Sequence, residues 1–90
     1  MSTVFIALQA NEETRPIIEA IQLDNPAAVV NREPAMVKID APGKLVVKRE
    51  TIAEQLGRED FDLQELHINL ISLGGNVDED EDRLVLSWNG

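Results

Sequence analysis

The sequence predicts an α+β fold: a single small two-layer domain, 1–90, with a mostly antiparallel sheet and two main helices in the order β-α-β-β-β-α-β-β. Three observations carry this reading. Short runs rich in β-formers are punctuated by Pro, Gly and Asn. Two stretches have helical spacing behind capping residues. The chain of 90 residues has no repeat, low-complexity segment or linker, so it suits one modest core.

VFIALQ (4–9) opens as a strand. The helix after it places Ile17, Ile18 and Ile21 at helical spacing, with Asn11 or Thr14 as candidate N-cap. Thr14 is the better candidate, because it puts Pro16 in the first turn, where a missing N–H costs little. Pro26 ends the helix. AAVVNR (27–32) and AMVKIDA (35–41) are short strands around Glu33-Pro34. APGK (41–44) has Pro and Gly where a type II turn needs them, which predicts that KLVVKR (44–49) pairs back as a hairpin strand.

Thr51-Ile-Ala-Glu54 matches a capping box, so a second helix is expected from Thr51, burying Ile52, Ala53 and Leu56 and ending at Gly57. Asp62 and Glu65 resemble a second box, with Phe61 packing on Leu66, before about one turn of helix. LHINLISL (66–73) then reads as a strand with Leu66, Ile68 and Leu70 on one face and His67, Asn69, Ile71 and Leu73 on the other. Helices cover one side only, so the second face must meet another layer, a partner or water. RLVLSW (83–88) closes the chain as a strand.

Eight basic against seventeen acidic residues give a net charge of −9, which argues against nucleic acid or an anionic membrane as partner. Five of the acids form the run Asp78, Glu79, Asp80, Glu81 and Asp82. With no cysteine, thiolate metal sites, iron–sulfur clusters, disulfides and thiol catalysis are excluded together. The N-terminus lacks a positively charged leader and no apolar run is long enough to span a bilayer, so a cytoplasmic protein is expected.

Nothing in the chain assembles into catalytic machinery. His67 is the sole histidine, reads as an ordinary strand residue, and has no ligand partners at metal spacing. Gly74-Gly75 lacks the spacing of a phosphate loop and reads as freedom to leave the strand sharply. The acidic run fails the calcium-loop pattern in either register: glycine is needed where Arg83 or Glu81 stands. No cofactor and no metal are expected, and a binding or regulatory module is favoured over an enzyme.

PIIEAIQLDNPAAVV (16–30), EQLGR, LQELHINL and LGGNVDEDEDR together resemble the small regulatory, or effector, component of bacterial multicomponent diiron monooxygenases, most of all the phenol hydroxylase branch. The methane branch has a long N-terminal extension, whereas only Met1-Ser2-Thr3 precede the first strand here, so no role of that tail is carried over. The resemblance implies a non-catalytic protein that docks on the diiron hydroxylase and stimulates hydroxylation of phenolic substrates. The electrons come from NADH through a reductase with flavin and iron–sulfur centres.

By position, the resemblance implies hydroxylase contacts at Asn69, Ile71, Ser72, Leu73, Gly74, Gly75 and Asn76, with Asp78, Glu79, Asp80, Glu81 and Asp82 as an electrostatic rim. Filling a second core layer is the structural alternative for Ile71 and Leu73. A stand-alone small-molecule-binding domain is the rival function, and an enzyme using scattered carboxylates a third.

Overall fold

A computed structural model of the protein describes residues 2–88. Seven strands form two antiparallel sheets. The first has the order β2-β3-β1-β5, from Val29–Arg32 (β2), Met36–Pro42 (β3), Thr3–Gln9 (β1) and Leu70–Gly74 (β5). The second has the order β4-β7-β6, from Lys44–Lys48 (β4), Arg83–Ser87 (β7) and Asn76–Glu79 (β6). Helices α1 (Thr14–Asp24) and α2 (Arg49–Leu56) pack on each other, and α1 packs on β4. The expected α+β order is present, with a 3₁₀ helix over Leu63–Asn69 and the strand β6 added in the second half. No helix among the described residues is long and apolar enough to cross a membrane.

Alternation builds the first sheet. Val4, Ile6 and Leu8 of β1 oppose Ala41, Ile39 and Val37 of β3, and all six are buried on one face. Both helices and the second sheet share that core through Ile17, Ile18, Ile21, Ile52, Leu45 and Leu84. The opposite face carries Phe5, Lys38 and Asp40, and Asn31 donates to Asp40 at 2.7 Å. Such a half-polar surface can meet water.

Four local expectations give way to tertiary structure. The Pro42-Gly43 turn forms, with Gly43 at φ 76°, but β4 pairs with β7 instead of β3. Both edges of β3 are already held by β1 and β2, so the turn can only redirect the chain to the other sheet. Helix α2 begins at Arg49, and no side chain caps it. The Arg49 N–H donates to the Asp82 carbonyl at 2.9 Å, which satisfies one of the free N–H groups of the first turn without Thr51.

Helix α1 begins at Thr14 with Glu13, and neither expected residue, at its N-cap position and no side-chain cap there; the turn before it is closed by Asn11. Its side chain accepts from the Thr14 N–H at 3.0 Å, and the Thr14 hydroxyl accepts from the Asn11 N–H at 3.2 Å. The reciprocal pair has the logic of a capping box. Thr14 is fully buried because its hydroxyl also donates to the Gln9 carbonyl at 2.8 Å.

The fourth difference is the start of the fifth strand. Residues 66–69 are 3₁₀ helix, and β5 begins at Leu70. The side chains buried along the helix are Leu63, Leu66 and Asn69. Steps of three match three residues per turn, so this period wins over the alternation expected for a strand.

Candidate functional site

Among the described residues, three of the six exposed large apolar side chains, Ile68, Ile71 and Val77, lie in the segment from Ile68 to Val77, the others being Leu23, Val29 and Trp88. Ile68 is 71% exposed, and Ile71 and Val77 are each 48% exposed. Large aliphatic groups left in water within one short segment make it a candidate contact surface.

A rigid start holds this segment. Asp62 caps the 3₁₀ helix by accepting from the Gln64 N–H at 2.9 Å, and Glu65 accepts from the Asp62 N–H at 3.1 Å. Arg58 reaches both Glu65 oxygens, at 3.3 and 3.2 Å. The Asp62 N–H, then Arg58, hold the Glu65 carboxyl below its ordinary range. The two buried leucines at steps of three leave Ile68 off the core face.

Asn69 marks the turn into β5, and it faces inward. It is only 7% exposed. Its side-chain oxygen accepts from Asn11 at 2.9 Å, and its amide donates to Glu13 at 3.4 Å. The segment is thereby tied to the first turn of α1.

Strand β5 then breaks register. Leu70 pairs with Leu8 and Ser72 with Ala7, so Ile71 between them is the extra residue of a bulge. Asn69, Ile71 and Leu73 therefore do not share one face. Leu73 opposes Ile6 and packs on the core, whereas Ile71 and Ser72 are exposed. Gly74 lies directly under the Phe5 ring: a Cβ there would sit 2.1 Å from a ring carbon. Lys38 Nζ stands 4.6 Å from the centre of the same ring. Gly75, at φ 135°, carries the chain from the first sheet to the second, where Asn76 opposes Ser87 and Val77 opposes Leu86.

Of the residues expected to bind, Ile71, Ser72 and Asn76 are exposed, Leu73, Gly74 and Gly75 are half-buried, and Asn69 is buried. Sequence reasoning missed Ile68 and Val77. For Ile68 the signal was the spacing Leu63, Leu66, Asn69; for Val77 it was pairing with β7, which no local pattern displays.

The acidic run is not one loop. Asp78 and Glu79 belong to β6, and Asp80–Asp82 make the turn to β7. Asp80 accepts from the N–H groups of Asp82 and Arg83, at 2.8 and 3.0 Å, which lowers its pKa. Folding also brings a second acidic segment alongside: Glu59, Asp60 and Asp62 meet Glu81 and Asp82 around an open groove with Arg49 on its wall. Among the described residues, no group of three or more His, Cys, Asp or Glu is placed to hold a metal ion. A groove of about 580 Å³ along α2 is lined by Arg49, Glu50, Ala53, Glu54, Gly57, Arg58 and Glu59.

Residues 2–87 match the family model described as the MmoB/DmpM family. The chain is 52% identical, over 97% of its length and 96% of the relative's, to the stimulatory component DmpM of phenol 2-monooxygenase from Pseudomonas sp. (strain CF600). Two structures of a phenol hydroxylase–regulatory protein complex contain similar chains. One has TM-score 0.92 and 50% identity, covering 98% of this chain and all of that one. The other has TM-score 0.89 and 47% identity, covering 97% and 100%. The regulatory protein B of soluble methane monooxygenase superposes with TM-score 0.75 at 26% identity, covering 97% of this chain and 65% of that protein.

Proposed function

Because this chain belongs to the MmoB/DmpM family, we infer that it is the stimulatory component of a multicomponent phenol hydroxylase, binding the hydroxylase and raising its rate without performing the chemistry itself. The observation that carries the reading is the near full-length, 52% identity to a stimulatory component of phenol 2-monooxygenase. The surface supports it: an apolar segment with an acidic margin suits docking on a larger protein.

In this reading the chain docks over the helices that hold the hydroxylase's diiron centre, in the cytoplasm, and electrons reach that centre from NADH through a flavin and iron–sulfur reductase. The regulator can shift the hydroxylase only as far as it prefers one of its conformations, with about 1.4 kcal/mol of preference for each tenfold shift. Its desolvated centre comprises Ile71, Ser72, Leu73, Gly74, Gly75 and Asn76, joined by Ile68 and Val77. Asn69 serves from behind by fixing the segment to α1. Asp78, Asp80, Glu81 and Asp82 form the rim with Glu59, Asp60 and Asp62, where charge speeds encounter more than it tightens the complex.

Reconstitution tests this function. Adding the protein to hydroxylase, reductase, NADH and phenol should raise product formation until the regulator is near stoichiometric with hydroxylase. An unchanged rate, or turnover of phenol by this chain without hydroxylase, would overturn the reading.

A further inference from the structure

His67 and Glu79 stand at the two ends of the docking segment and touch each other. His67 Nε2 lies 3.1 and 3.0 Å from the two carboxylate oxygens of Glu79, closing residues 68–78 into a loop. Glu79 opposes Leu84, whose side chain is fully buried, so the carboxylate leaves the edge strand on the core side and points toward the 3₁₀ helix. At 21% side-chain exposure it is the most sheltered carboxylate in any ion pair among the described residues. Solvent and salt screen such a pair less than its fully exposed counterparts.

Resting on the docking role above, we propose that His67 and Glu79 are positioning residues: the contact between them clasps segment 68–78 in its docking shape. A neutral imidazole can still donate Nε2–H to Glu79; a protonated one adds the attraction of opposite charges.

The other charged groups nearby are occupied or turned away. On the 3₁₀ helix, Glu65 is held by Arg58 and the Asp62 N–H. Strand β5 carries no titratable side chain. On β6, Asp78 opposes Val85 and points to the other face of the sheet from Glu79. In the turn, Asp80 accepts from backbone N–H groups and Asp82 pairs with Arg49; Glu81 lines the groove beside Asp82 and Phe61. On β7, Arg83 opposes Lys48 and alternates with the core-facing Leu84.

Two measurements test the clasp. In the isolated protein, His67→Gln and Glu79→Gln should each speed hydrogen exchange at the backbone amides of Leu70 to Val77, and the double variant should exchange no faster than either single one. Segment amides that exchange at the wild-type rate in both single variants would overturn the proposal. Against the hydroxylase, each single variant should bind about two- to fivefold more weakly than the wild type, the scale of one ion pair. The double variant His67→Gln/Glu79→Gln should bind no more weakly than either single variant. Single variants that bind as tightly as the wild type would also overturn it, with thermal melts establishing that each variant is folded. Failure of the wild type to bind hydroxylase at all would remove the functional reading, and the amide measurement would still decide the clasp.

Discussion

Strands β1 and β3 pair residue for residue from Thr3–Pro42 to Gln9–Met36, and every second side chain goes to the core. Between Leu63 and Glu79 the chain changes period repeatedly. It buries every third residue, adopts strand pairing, inserts a bulge at Ile71 and crosses between sheets at Gly75. The regular region hides its aliphatic side chains, while the irregular one leaves Ile68, Ile71 and Val77 in water. A bulge and a 3₁₀ turn are ways to aim an apolar side chain outward without giving up the pairing that supports it. The regular stretch serves the core, whereas the proposed docking segment takes its exposed side chains from a 3₁₀ helix, a bulged strand and the edge of the second sheet.

The sharpest way to break this contrast is to cut equivalent aliphatic groups in the two regions. Leu8→Ala empties a fully buried site and should cost about 2–5 kcal/mol of stability, read by denaturant unfolding. Ile71→Asp should leave unfolding within about 1 kcal/mol of wild type. It should weaken hydroxylase binding by about 2 kcal/mol or more, chiefly through faster dissociation at every salt concentration. Unfolding of Ile71→Asp would mean that this residue belongs to the core and that the contrast fails. Changing Asp78, Asp80 and Glu81 together to amides should instead slow association at low salt.

Gly74→Ala probes the seam between the regions. Its methyl would collide with the Phe5 ring, which is only half-buried and can swing aside, so a loss of about 1 kcal/mol is expected. Phe5→Ala in the same chain should remove most of that penalty, and a thermal melt of the double variant measures it. The smallest effect is at Glu65. Its carboxyl is held below the ordinary range first by the Asp62 N–H, so its contribution is whole above that range and is lost as pH falls through the depressed value. Glu65→Gln should flatten the acid limb of the stability–pH curve, with stability slightly below wild type at neutral pH and the two curves converging below the depressed value.

Several features of this protein were legible residue by residue. The Asp62–Glu65 box formed as read. Gly57 ends α2 in the left-handed conformation, with Arg58 N–H bonded to the Ala53 carbonyl, and the glycines at 74 and 75 permit the exit expected of them. Caps, turns and burial periods act over about four residues, so a short window of sequence contains both partners. The orientation of the side chains in the proposed docking segment was not legible. One inserted residue in β5 turns Leu73 inward and leaves Ile71 outside, and a period of three moves Ile68 from the expected core face to the surface.

What only the tertiary structure decided depends on groups far apart in the chain. β4 joins β7 because β3 has no free edge. Helix α2 starts at Arg49 because the Asp82 carbonyl is there to receive its N–H. Glu79 meets His67, and Asn69 meets Asn11, across the fold. The amino-acid sequence by itself determined the α+β class, the acidic charge, the lack of thiol chemistry and the family. Partner choice among strands and side chains waited on the folded chain, because an edge or a carbonyl becomes available only after other elements have taken their places.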